Sequence, residues 1–170
     1  AAYNWGSSKQ DGFIDNQPFS RSTVISVSQA GNNPWDAGYF AQNANPVTQG
    51  DKLLWVFYVR SNGSNDGEAT IIIEETQSGS YQKEIFIPVT FGQEWTRYSV
   101  AAEISLGNRP AGGLQIGFHL GQAAQSLEFG GFTVLNYGDQ VELSDLPTTL
   151  DAGNYDGSAS DAPWRASAAN

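Results

Sequence analysis

Eight short runs of this chain alternate apolar and polar residues, and each is closed off by Gly, Asn, Pro or Asp. They are Thr23 to Gln29, Gly38 to Asn43, Lys52 to Arg60, Glu68 to Glu75, Tyr81 to Pro88, Glu94 to Val100, Gly113 to Leu120 and Gln125 to Asn136. A period of two places successive side chains on opposite faces of an extended strand, so each run predicts a β-strand of ordinary length. No window carries a capped i, i+3, i+4 apolar pattern, so helix is scarce. Strands at this spacing predict an all-β fold: a β-sandwich of jelly-roll type built from two antiparallel sheets. There is no internal repeat.

The alternation also assigns faces. In Gly113 to Leu120 the residues Leu114, Ile116, Phe118 and Leu120 face the core, which leaves Gln115, Gly117 and His119 on the opposite side. Lys52 to Arg60 is apolar on both faces, as a central strand is when its outer face is also partly covered. The parity of Ile85 and Ile87 places Tyr81 inward, although it stands at the first position of its run. Gly130-Gly131 signals a bulge or a close backbone approach. Trp55 and Trp95 are assigned to the core. Past Asn136 the alternation stops and Asp, Gly, Ser and Ala take over, so the sandwich is expected over 1–138 and a linker with a few aromatic anchors over 139–170.

Composition narrows the partners. The chain has 8 Lys plus Arg against 18 Asp plus Glu, a formal net charge of −10. Such a surface repels phosphate backbones and anionic lipids and offers no basic cluster, which excludes nucleic acid as a ligand. No apolar run approaches the length of a membrane span. The absence of cysteine rules out disulfides and thiolate metal sites. Ala1-Ala2-Tyr3-Asn4 suits a mature end left by cleavage at small residues, so a secreted protein, extracellular or periplasmic and monomeric, is expected.

A search for catalytic groups finds no credible set. The sole histidine, His119, lacks a Gly-x-Ser-x-Gly elbow to serve, and phosphate-loop and dinucleotide glycine patterns are absent. Glu74, Glu84 and Glu128 lie on predicted strands, but nothing singles out a pair for glycoside hydrolysis, and they read as solvated strand carboxylates.

Several motifs point elsewhere. Tyr155-Asp156-Gly157, four residues and then Ala162-Pro163-Trp164-Arg165 resembles the entrance to the catalytic barrel in glycoside hydrolase family 10 xylanases. Asn33-Pro34-Trp35-Asp36, Gln49 to Leu54, Phe118 to Gly121 with Gln125, and Phe129 to Gly138 resemble the carbohydrate-binding-like domains that precede such barrels. The wider relatives are carbohydrate-binding module families 4, 9 and 22: β-sandwiches that bind xylan or β-glucan, often with a structural calcium.

The resemblance implies a role for particular residues. Trp35 matches a tryptophan that stacks on a sugar ring, Tyr81 takes the place of a sugar-contacting tyrosine, and His119 and Gln125 fall near a polar or acidic hydrogen-bonding position. Tyr39, Tyr58 and Arg60 join Gln125 as second-line candidates. These residue types suit the chemistry: a pyranose packs its C–H face on an aromatic plane, while its hydroxyls need polar partners that replace water. For calcium, the relatives supply carboxylates where this chain has Gly130 and Gly131, which leaves Asp11, Asp15, Glu128 and Asp139 as candidate ligands.

Three roles follow. The first is a non-catalytic module that binds a polysaccharide, xylan or β-glucan, and targets a covalently attached xylanase. The second is a structural domain that packs on the catalytic barrel without binding sugar. The third is a small jelly-roll glycosidase or lyase.

Overall fold

The computed structural model describes residues 1–150; the Tyr155 to Arg165 segment lies outside the described residues. Among the described residues, ten strands form two five-stranded antiparallel sheets. In chain order they are β1 (Ala2–Trp5), β2 (Ser8–Phe13), β3 (Arg21–Val27), β4 (Gly38–Gln42), β5 (Lys52–Ser61), β6 (Gly67–Glu75), β7 (Lys83–Phe91), β8 (Thr96–Glu103), β9 (Leu114–His119) and β10 (Gln125–Asn136). The first sheet runs β1-β4-β9-β6-β7 and the second β2-β3-β10-β5-β8. The expected β-sandwich is therefore the observed fold. All eight predicted runs are strands, with ends shifted by up to three residues. β1 and β2 were not predicted, because one is four residues long and the other, Ser-Lys-Gln-Asp-Gly-Phe, is a mostly exposed edge strand with no apolar face.

The core lies between the sheets. Trp55 and Phe57 of β5, Phe91 of β7 and Phe118 of β9 are fully buried, and Phe118 stacks on Phe129 of β10 with ring centroids 4.6 Å apart. Truncating any one of these rings to alanine costs about 3–5 kcal/mol, since a packed interior closes only partly over the cavity. The predicted inward set Leu114, Ile116, Phe118 and Leu120 is in this core.

The outer face of the second sheet is covered at both ends. Leu54 of β5 and Ala101 of β8 are buried under Leu146, with Val56, Val141 and Leu143 packed alongside. This explains why β5 is apolar on both faces. The covering segment follows β10 and is tied down by hydrogen bonds: the Ser99 N–H donates to the Thr149 hydroxyl at 2.8 Å and the Thr149 N–H to the Ser99 carbonyl at 2.9 Å. Residues 139–150, expected as linker, are thus packed on the sandwich. At the other end Phe19 lies against Tyr58 and Trp95, with centroids 4.9 and 5.1 Å away. The pairing of β10 with β5 breaks between Gly130 and Thr133, which is the bulge that Gly130-Gly131 predicted. The glycines make room for Phe19, since a Cβ on Gly130 would stand 2.1 Å from its ring.

Candidate functional site

The outer face of the first sheet is open, and it holds a cavity of about 600 Å³, a size usual for ligand sites. Phe40 of β4, Ile72 of β6 and Phe86 of β7 form a buried apolar cluster on this face, and Tyr3 and Trp5, packed against them, line the cavity. Trp5 stacks on Phe40 at 5.2 Å with the planes only 10° apart. Gly38, opposite Trp5 in the β1–β4 register, permits this, because a Cβ there would lie 2.4 Å from the indole.

Polar side chains line the same cavity in a connected row across the strands. The Tyr3 hydroxyl donates to Gln115 Oε1, and Gln115 Nε2 donates to Glu74 Oε1. His119 Nε2 stands 3.7 Å from Glu74 Oε1, and Lys83 Nζ 3.2 Å from Glu74 Oε2. Glu74, Lys83, Gln115 and His119 are all buried, at 2%, 4%, 7% and 4% exposure. Burial alone would raise the Glu74 pKa, but the neighbouring His119, Lys83 and Gln115 outweigh it and hold the carboxyl below its ordinary value. For the Tyr3 phenol, burial, then the Glu74 carboxylate and Tyr81, push the pKa up. With Nε2 turned to Glu74, His119 Nδ1 is a buried polar atom with no protein hydrogen-bond partner. A hydroxyl group can satisfy it.

Two exposed aromatics complete the lining. Trp35, 43% exposed, sits on the one-turn 3₁₀ helix Pro34–Asp36, which the Asn33 N–H caps by donating to Asp36 Oδ2 at 2.9 Å. Trp5 Nε1 donates to the Trp35 backbone carbonyl at 2.8 Å, so the Trp5 indole is tied to the turn that carries Trp35. Tyr81, 46% exposed, stands in the hairpin between β6 and β7. Its inward parity does not hold. The β6–β7 register shifts between Ile73, paired with Ile85, and Glu74, paired with Lys83, so Glu84 is an extra residue. That bulge reverses the alternation, turning Lys83 toward the cavity and sending Tyr81 outward.

The structure thus brings Trp35, Tyr81 and His119 to one cavity, and separates the other candidates from it. Tyr39 faces inward from β4 and packs on Phe129 at 5.3 Å, so it is a core residue. Tyr58 and Arg60 lie on the outer face of the second sheet, on the far side of the molecule. Arg60 there pairs with buried Glu128 at 2.6 Å and caps the Trp95 ring at 5.0 Å. Trp95 is accordingly half-buried on that surface rather than in the core, because it precedes β8 instead of alternating within it. Gln125 spends its amide on structure, donating to the carbonyls of Glu68 and Leu120 at 2.7 and 3.0 Å and accepting from the Glu68 N–H at 2.8 Å.

Glu74, Glu84 and Glu128, read as solvated, are each buried and bonded. Glu84 accepts the Leu106 N–H at 2.9 Å and the Ser105 hydroxyl at 2.8 Å. Sequence reasoning missed Tyr3, Trp5, Glu74, Lys83 and Gln115 as cavity residues. Tyr3-Asn4-Trp5 did carry a signal, since a spacing of two puts both rings on one face of a strand.

The four candidate calcium ligands are not gathered at one place. Asp11 accepts from Lys9 and Thr23, Glu128 is taken up by Arg60 and Ser22, and Asp139 accepts from Gln140. Among the described residues no group of three or more Asp, Glu, His or Cys converges as a metal site, so Asp11, Asp15, Glu128 and Asp139 do not form one.

No family model matches the chain, and no curated protein does. Solved structures do. A CBM4 module superposes with a TM-score of 0.64 at 14% identity, covering 79% of this chain and 86% of that one. The second N-terminal cellulose-binding domain of Cellulomonas fimi β-1,4-glucanase C gives 0.58 at 21% identity over 78% of this chain and 83% of its own. The CBM22-1–GH10 modules of Clostridium thermocellum endo-1,4-β-D-xylanase 10B, complexed with xylohexaose, give 0.59 at 14% identity; this chain is covered to 83%, that one to 27%. The chain has the β-sandwich fold of carbohydrate-binding modules of the CBM4 and CBM22 kinds.

Proposed function

We propose that this chain is a non-catalytic carbohydrate-binding module that takes a β-linked plant cell-wall glycan, xylan foremost, along the outer face of its first sheet. The observation that carries the reading is the amphipathic lining of one cavity. Trp35, Tyr81 and Trp5 offer aromatic surface for sugar C–H faces. Glu74, Gln115 and His119 offer buried polar atoms for hydroxyls. Stacking supplies affinity, and the polar base discriminates among sugars, because a buried group left without its partner costs about 1–3 kcal/mol.

The solved neighbours support the reading: one is a cellulose-binding domain, and another is a xylanase module pair complexed with xylohexaose. Attached to a xylanase, a monomeric secreted module of this kind would keep the enzyme at its substrate by raising the effective concentration of bonds to cleave. Among the described residues the lining holds a single carboxylate, Glu74, so no carboxylate pair stands across the cleft for glycoside hydrolysis, which favours binding.

Isothermal calorimetry against xylan, mixed-linkage glucan and soluble cellulose oligomers tests the proposal. Binding to xylan is expected, weakened about tenfold or more by Trp35→Ala, the effect of removing one central aromatic anchor. No heat with any of the three, or full affinity in Trp35→Ala, would remove it.

A further inference from the structure

The hairpin that carries Tyr81 has no apolar anchor of its own. Residues 77–82 are all exposed, between buried Glu75 and buried Lys83. Tyr81 also has a φ of 50°, a left-handed conformation that a residue with a Cβ keeps only where its surroundings hold it. Polar contacts must therefore shape this turn, and most of them end on one carboxylate. Glu75 Oε2 accepts the N–H groups of Gln77 and Ser78 at 2.8 and 2.9 Å. Its Oε1 accepts the Ser78 hydroxyl, and the Ser80 hydroxyl and Gln82 N–H at 3.4 Å each. The Glu75 N–H closes the strand end by donating to the Gln82 carbonyl at 2.9 Å. Lys83 Nζ adds a bond to the Tyr81 carbonyl at 3.1 Å, linking the hairpin to Glu74 in the cavity.

We propose that Glu75 is a positioning residue for ligand binding: it never meets the glycan, and its carboxylate folds residues 76–82 so that Tyr81 overhangs the cavity. The proposal rests on the glycan-binding reading of that cavity and assigns part of the affinity to a residue outside it. Successive carboxylates then have separate tasks. Glu74, facing the cavity, addresses the ligand, and Glu75, in the turn, fixes the ring that covers it.

The test combines affinity with backbone order. Xylohexaose affinity is measured by calorimetry for Glu75→Ala, Glu75→Gln, Tyr81→Ala and the Glu75→Ala/Tyr81→Ala double variant, and ¹⁵N order parameters are measured for residues 76–83 without ligand. Glu75→Ala is expected to lose as much affinity as Tyr81→Ala, the double variant no more than either, and Glu75→Gln, which keeps one acceptor oxygen, to recover part of the loss. Order parameters of 77–82 should fall in Glu75→Ala toward the flexible range, below about 0.6. Wild-type affinity in Glu75→Ala alongside weakened Tyr81→Ala would overturn the proposal, as would a hairpin equally ordered in both proteins. If the wild-type chain binds no glycan, the functional reading fails, while the order parameters still decide the part played by Glu75.

Discussion

The two sheets of this sandwich share one core but treat their outer faces in opposite ways. On the second sheet, Leu143 and Leu146 cover Leu54 and Ala101 at one end, and Phe19 covers the Gly130-Gly131 bulge at the other. Its buried charge, Glu128, is fully engaged by Arg60 and Ser22. On the first sheet Tyr3 and Trp5 pack on Phe40, Ile72 and Phe86, yet the face still holds an open cavity whose buried polar lining includes His119, with no protein hydrogen-bond partner at Nδ1. Burial without full satisfaction is costly. Such atoms also occur at Trp55, Arg109 and Gln122, but that of His119 belongs to a residue lining the open cavity, which supports the proposal that a ligand binds there. Aromatic residues alone do not distinguish the faces. Trp95, Tyr58 and Phe19 are as numerous as Trp35, Tyr81 and Trp5, but they pack on each other and on Arg60.

The largest effect expected from breaking this contrast is on stability. Arg60→Ala leaves Glu128 buried with only Ser22 as partner, which should cost about 3 kcal/mol, somewhat less if water reaches the vacated site. Chemical denaturation reads the loss, and glycan affinity should not change. A loss of affinity in this variant would mean that the second sheet takes part in binding.

A smaller effect comes from acid, and it falls on the open side. Glu74 and Glu75 both titrate below their ordinary value of 4.5 in the folded chain. For Glu75, burial raises the pKa but the donors of Ser78, Gln77 and Gln82 win, bringing it to about 2. A folded-state pKa below the unfolded one means that the unfolded chain binds protons first. The stabilisation is therefore complete above about pH 4.5 and is lost as pH falls toward 2. The melting temperature should be flat with respect to these two groups above pH 5 and decline below it, and Glu75→Gln should flatten the decline. An unchanged acid limb in Glu75→Gln would contradict the hydrogen-bonding account of the hairpin.

The sandwich was legible because alternation is local: the parity of Leu114 to Leu120 alone located one core strand and put His119 on the opposite face. β5 even announced that its second face was covered, although Leu146, the residue that covers it, lies in a stretch whose composition reads as linker. The site was legible only in part. Trp35 follows a proline in a turn, where exposure is natural, and His119 stood on the correct face. Tyr81 was a candidate from resemblance, but its parity pointed inward because one bulged residue, Glu84, reverses the alternation, and register shifts arise from pairing between strands that a single run does not contain. The same limit hid Glu74, Gln115 and Lys83, which become a row only when β6, β7 and β9 are laid side by side. Arg60 and Tyr58 had suitable chemistry, but sequence does not say which sheet a strand joins.

A chemical-shift map of the ¹⁵N-labelled chain titrated with xylohexaose tests the central claim most directly. The account predicts that the indole N–H signals of Trp5 and Trp35 and the amides around Tyr81, Gln115 and His119 move with ligand, while those around Phe19, Tyr58 and Trp95 stay in place. Shifts concentrated on Phe19, Tyr58 and Trp95, or none at saturating sugar, would contradict it.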